Sequence, residues 1–153
     1  TTDEVFEAFL GEPASGRTFF HGHTYTGNPL GCAAALASLE LFERNRVLDN
    51  VAACAALLSR RLNELRDWPH VGDIRQKGIL VGIELVADKA TQQPFAPETR
   101  IGHRVARAAQ QRGLFTRPLG DVITIVPAPA MPPELVNRLC DVLFASIGSV
   151  TCE

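Results

Sequence analysis

Lysine is nearly absent from this chain: Lys77 and Lys89 are the only two in 153 residues. Chemistry that needs a lysine amine therefore has two candidates, one in a hairpin pattern and one in a polar connection. No charge of one sign dominates, since the formal net charge is -2. This excludes the basic excess of a nucleic-acid binder and the charge blocks of a membrane-surface protein. No apolar run approaches the roughly 20 residues a helix needs to span a bilayer. The opening Thr1-Thr2-Asp3-Glu4 is polar and acidic, without the basic region of a secretory signal. Four cysteines, Cys32, Cys54, Cys140 and Cys152, form no Cys-x-x-Cys pair. Three of them fall on the apolar rhythm of predicted helices, so buried, reduced thiols and a cytoplasmic compartment are expected.

What is present suffices for a core: 46% of residues are hydrophobic, and a chain this long can bury roughly 70% of its unfolded surface. Asp3 is a candidate cap for a short helix bearing Val5, Phe6, Phe9 and Leu10. Asn28-Pro29 is a stronger start signal, and Leu30, Ala33, Ala34, Ala37 and Leu41 then share one helical face to about Glu43. Asp49 opens a second helix with the stripe Val51, Ala55, Leu58, Leu62 and Leu65, ended by Trp68-Pro69. Ile79, Val81, Ile83 and Leu85 alternate as a strand partnered by Asp73-Ile74-Arg75. A polar connection from Asp88 to Pro97 leads to a third helix marked by Ile101, Val105 and Ala108 and closed by Gly113. Leu114-Phe115-Thr116 is read as a short strand, Pro118-Leu119-Gly120-Asp121 as a turn, and Val122 to Val126 as a buried strand. Pro132-Pro133-Glu134 starts a last helix carrying Leu135, Leu139, Val142, Leu143 and Ile147. The order implies an α+β layer with a small, mostly antiparallel sheet packed with helices and preceded by a long helix.

Two segments are candidates for chemistry. Phe19 to Pro29 is rich in glycine and hydroxyls and lies just ahead of a helix start. Free backbone N–H groups and a helix dipole there fit an anion, and equally a capped loop. His21-x-His23 places two rings on one face of an extended segment, but no third ligand completes a metal site. Thr116-Arg117-Pro118-Leu119-Gly120-Asp121 presents an arginine fork at the end of a strand, suited to a carboxylate or to a structural pair. Glu84, within an apolar strand, reads as an edge or paired group rather than a catalytic acid, and Arg75 beside Asp73 reads as a surface pair.

Together these segments carry a resemblance. His21-Gly22-His23-Thr24-Tyr25-Thr26-Gly27-Asn28-Pro29-Leu30-Gly31-Cys32-Ala33-Ala34-Ala35 resembles a signature segment of the class III aminotransferases, which use pyridoxal 5'-phosphate. Asp73 to Leu85 is similar to the hairpin of that family's small domain. Thr116 to Ile123 looks like the branch that makes 7,8-diaminononanoate from 8-amino-7-oxononanoate in biotin synthesis. The resemblance covers essentially the whole chain.

The resemblance implies a carboxy-terminal part of a fold-type I enzyme. Residues 1–28 would be the tail of the large cofactor-binding domain, and 29–153 the connecting helix and small domain. Thr24 would bind the cofactor phosphate of the other subunit of a homodimer, with His23 and Gly22 lining that site by their backbone. Arg117 would hold the substrate carboxylate, and the amino donor would be S-adenosylmethionine or lysine. The family's cofactor lysine belongs to a segment ahead of Thr1, and neither Lys77 nor Lys89 has its surroundings. The expectation is a piece of a longer enzyme, inactive alone, a view that the non-methionine start also favours. Two alternatives are another class III aminotransferase, of ω-amino acid or ornithine type, and a non-catalytic binding or dimerisation module.

Overall fold

Capping and proline place the helices where local chemistry allows them to start. The computed structural model describes residues 1–151, so the expectation for Cys152 lies outside the described residues. The chain divides into two compact units, Thr1–Glu40 and Leu41 onward. In the first, helix α1 (Asp3–Glu7) is capped by Thr2, whose hydroxyl accepts from the Val5 N–H at 3.4 Å. Asp3 was expected as the cap. It sits instead inside the first turn, because Thr2 has the extended backbone a cap requires and Asp3 is already helical. Helix α2 (Pro29–Arg44) begins as predicted: Asn28 Oδ1 accepts from the Leu30 N–H at 2.9 Å, and Pro29 fills the first helical position, where no N–H is needed.

The second unit holds the core. Helix α3 (Val47–Leu62) buries Val47, Cys54, Leu58 and Leu62 and runs into a 3-10 turn that buries Leu65. It starts two residues before the predicted Asp49, from Arg46 in a left-handed conformation. Strands β1 (Val71–Lys77) and β2 (Leu80–Leu85) form an antiparallel hairpin turned at Gly78, whose φ of +57° suits glycine. Alternation is faithful: Val81, Ile83 and Leu85 are buried while Leu80 is exposed. Asp88 and Gln93 bridge the following connection. The Asp88 carboxyl is held below its usual range by the Ala90 N–H and the Thr91 hydroxyl. Helix α4 (Ile101–Gln111), strands β3 (Pro118–Leu119) and β4 (Val122–Ile125), and helix α5 (Pro133–Thr151) complete the unit.

The sheet order is β1-β2-β4-β3, antiparallel throughout. Its core side, Val81, Ile83, Leu85, Ile123 and Ile125, packs with Leu58 and Leu62 of α3, Ile101 and Val105 of α4, and Val136, Leu143 and Ile147 of α5. The other side keeps Arg75, Glu84 and Thr124 outside the core; Arg75 pairs with Asp73 at 3.2 Å, as predicted, and also with Glu84 at 2.8 Å. Arg61 ties α3 to α5 through Asp141 at 2.7 Å and Asn137 at 3.0 Å, with its guanidinium over the Phe144 ring.

Several local expectations are corrected. Leu114-Phe115-Thr116 is not a strand, and Pro118-Leu119 is one rather than a turn. The sheet pairs outward from the Gly120-Asp121 turn, and the β3–β4 pairing ends at Pro118 and Ile123. Val126 lies beyond β4 and is 71% exposed. Leu135 is exposed because it falls off the core stripe of α5, which Val136, Leu139, Cys140, Leu143 and Ile147 occupy. Cys54 and Cys140 are buried thiols, whereas Cys32 is exposed. Its helix α2 is apolar in sequence but has no buried residue.

Candidate functional site

Two loci carry the predicted site residues, one in each unit. In the first unit the segment ahead of α2 is built from two successive turns. The Thr26 N–H donates to His23 O at 3.0 Å, and the Asn28 N–H to Tyr25 O at 3.1 Å. The Thr26 hydroxyl accepts from the His23 N–H at 3.1 Å, which closes the first turn on itself. Gly27, with φ of +74°, takes the left-handed position inside the second turn, just before Asn28. Rings at alternate positions stack along one side: Phe9 on Phe19 at 5.2 Å, Phe19 on His21 at 5.3 Å, and His21 edge-on to His23 at 4.9 Å. The period-two reading of His21-x-His23 was right in placing both rings on one side, and what they do there is pack. Among the described residues, no group of three or more His, Cys, Asp or Glu side chains is arranged to hold a metal.

Gly22, His23 and Thr24 therefore sit together in one exposed loop. The Thr26 hydroxyl is engaged internally, but the Thr24 hydroxyl has no partner among the described residues. An exposed hydroxyl beside turn N–H groups is competent to bind an anionic oxygen.

The second locus surrounds Arg117. It directly precedes Pro118, which restricts it to extended backbone. By the register of Pro118 with Ile123 and Leu119 with Val122, Arg117 faces Thr124 one step past the last backbone pair. There side chains take over from the ladder. The Thr124 hydroxyl donates to Arg117 O at 2.5 Å, and the Thr116 hydroxyl donates to Thr124 O at 2.5 Å. The turn beyond is pinned by α4: a Cβ at Gly102 would lie 2.2 Å from Gly120 O. Only glycine permits that approach.

Arg117 is exposed and, unlike Arg61 and Arg75, forms no ion pair among the described residues. It lines a groove of about 340 Å³ whose other walls are mostly apolar, with Phe115, Val126, Pro127 and Met131 among them. A fork of donors at an apolar groove suits a molecule with a hydrocarbon chain ending in a carboxylate. Thr116, Thr124 and Gly102 were missed as site-building residues. Pairing the strands outward from Gly120-Asp121 would have set Thr124 opposite Arg117. Nothing local marks Gly102.

Known proteins resemble the chain along nearly its whole length. The model of a family described as aminotransferase class-III matches residues 1–147. The adenosylmethionine-8-amino-7-oxononanoate aminotransferase of Geobacter sulfurreducens is 51% identical over 150 residues, covering 98% of this chain and 33% of its own length. That of Aquifex aeolicus is 47% identical over 153 residues, covering 100% of this chain and 34% of its own. The crystal structure of the Methanocaldococcus jannaschii enzyme of the same name superposes with a TM-score of 0.87 at 43% identity, over 98% of this chain and 34% of that one. An (S)-enantioselective ω-transaminase from Thermomicrobium roseum superposes with a TM-score of 0.85 at 34% identity, over 97% and 33%. The chain thus spans about a third of the length of the relatives it matches.

Proposed function

This chain belongs to the class-III aminotransferases, and from that membership we propose that it is the carboxy-terminal third of an enzyme converting 8-amino-7-oxononanoate to 7,8-diaminononanoate in biotin synthesis. Residues 1–28 are the tail of the large domain, and 29–153 the connecting helix and small domain. The observation that carries the substrate is Arg117, a guanidinium without an ion pair among the described residues and at an apolar groove, in a chain 51% identical to a relative named for that substrate. The groove receives the hydrocarbon chain of the oxononanoate, and Arg117 binds its carboxylate through paired N–H donors.

Pyridoxal phosphate, when bound, supplies the electron sink that amino transfer requires. The residues of this chain fit its phosphate only. The Thr24 hydroxyl, without a partner among the described residues, and the backbone of His23 and Gly22 would hold it for the partner subunit of a homodimer. Neither lysine here is placed to serve the cofactor. The Lys89 ammonium is engaged by the carbonyls of Arg66 and Trp68, and Lys77 ends an exposed hairpin strand. The lysine and the ring-binding residues belong to the remaining two thirds, so the 153-residue chain has no turnover by itself. The amino donor is S-adenosylmethionine or lysine.

The test is Arg117→Ala in the full-length enzyme. The KM for the keto substrate should rise about 10- to 100-fold, the worth of a lost charge-assisted hydrogen bond, with the donor KM unchanged. An equal rise for both would mean that Arg117 is not the carboxylate group. Likeness to the Thermomicrobium roseum enzyme favours a second reading, an ω-amino acid transaminase. That reading predicts turnover of short ω-amino acids and indifference to Arg117.

A further inference from the structure

We propose that Thr116 and Thr124 are positioning residues for Arg117, fixing the backbone from which its guanidinium reaches substrate. This rests on Arg117 as the carboxylate group and goes one layer beneath it. A single exposed arginine on a loop has many rotamers and a mobile backbone, and each degree of freedom lost on binding weakens the complex. The structure removes the backbone part of that cost in advance.

The argument follows from the end of the β3–β4 ladder. Backbone pairing of β3 with β4 stops at Pro118 and Ile123. Without a substitute, Arg117 would be the first residue of a frayed end. Two hydroxyls supply that substitute in opposite directions across the gap. Thr124 donates to the carbonyl of Arg117, and Thr116 donates to the carbonyl of Thr124. Thr124 is itself held in the sheet interior, paired through the backbone with Gly82 of β2. The register of the central strands is thereby transmitted to Arg117 through one side-chain hydroxyl. Beyond the proline, Gly102 seats the Gly120-Asp121 turn against α4. The segment is constrained on both sides of Arg117, while the guanidinium itself has no ion pair among the described residues.

The test uses the full-length enzyme with two ketones, the natural carboxylate and an analogue ending in a methyl group. Thr124→Val keeps the β-branched shape and removes the hydroxyl. It should raise KM for the carboxylate ketone about fivefold, the worth of one net hydrogen bond. The KM for the methyl analogue and for the donor should stay within twofold of wild type, and Thr124→Ser should restore the carboxylate KM. Thr116→Val should act in the same direction and serves as the readout if Thr124→Val does not fold. Equal losses with both ketones, or no loss with either threonine variant, would overturn the proposal. If Arg117→Ala leaves discrimination between the two ketones unchanged, the assignment of Arg117 itself is wrong. If that variant abolishes discrimination and the threonine variants do not, only the positioning role fails.

Discussion

Residues 1–46 and residues 47–151 are similarly supplied with large apolar side chains, yet only the second stretch buries any of them. The first stretch includes no buried residue, although it carries Val5, Phe6, Phe9, Phe19, Phe20, Leu30, Leu36 and Leu39. The second buries Leu58, Ile83, Val105, Ile123 and Leu143 completely. Composition and periodicity suffice to make a helix such as α2. Burial needs a facing surface, and the two properties separate cleanly here. An exposed helix with leucines on several sides marks a surface that another part of a protein covers. This accords with a chain that spans about a third of the length of its relatives.

The contrast can be broken most sharply with thiol reagents. In a Cys152→Ser background, Cys32 should react at the rate of a free thiol, and Cys54 and Cys140 slower by orders of magnitude until the core opens. Equal rates for all three, read by mass spectrometry, would mean that the second stretch is no better packed than the first. Next in size, Leu58→Ala should cost about 2–5 kcal/mol in denaturant unfolding, while Leu36→Ala should stay within about 0.5 kcal/mol. Comparable losses would show that α2 is covered.

Gly102→Ala sharpens the comparison within the second stretch. Its Cβ would meet the backbone of Gly120 and Asp121, so α4 and the hairpin must separate, at a cost of about 1–3 kcal/mol. The smallest effect is a pH dependence. Burial pushes the Cys140 thiol up to about 11 from an ordinary value of 9.0. The folded form then holds a proton that the unfolded form releases first. Its contribution is whole below pH 9 and is lost as pH rises from 9 toward 11. Cys140→Ala should flatten that part of the profile, read by denaturant unfolding across pH 8 to 11, and an unflattened profile would refute the role of burial.

Much of the fold was legible because the signals were local. Asn28-Pro29 encodes a cap and a first helical residue in two positions, and both formed. The alternation Val81, Ile83, Leu85 assigns sides of a strand without reference to anything else. Errors came where the outcome depended on a partner. The apolar triplet at Leu114 looked like a strand, but pairing propagated from the Gly120-Asp121 turn and left it outside. The stripe on α2 matched a core-facing helix and found no core among the described residues. The roles proposed for Thr24 and Arg117 come from family resemblance, since the residues alone left an anion loop or a capped loop, and a carboxylate fork or a structural pair, equally open. Thr116 and Thr124 were invisible because their role exists only once 117 and 124 are opposed.

By itself the sequence determined the start of α2, the strand alternation, the scarcity of lysine and the resemblance to class-III aminotransferases. Each is a property of neighbours within a few residues or of residue identity alone. Tertiary structure alone decided which cysteines are buried, where the ladder ends, that Gly102 admits the hairpin turn and that two threonine hydroxyls hold the backbone of Arg117. Those outcomes depend on groups far apart in the chain meeting within hydrogen-bonding or van der Waals distance.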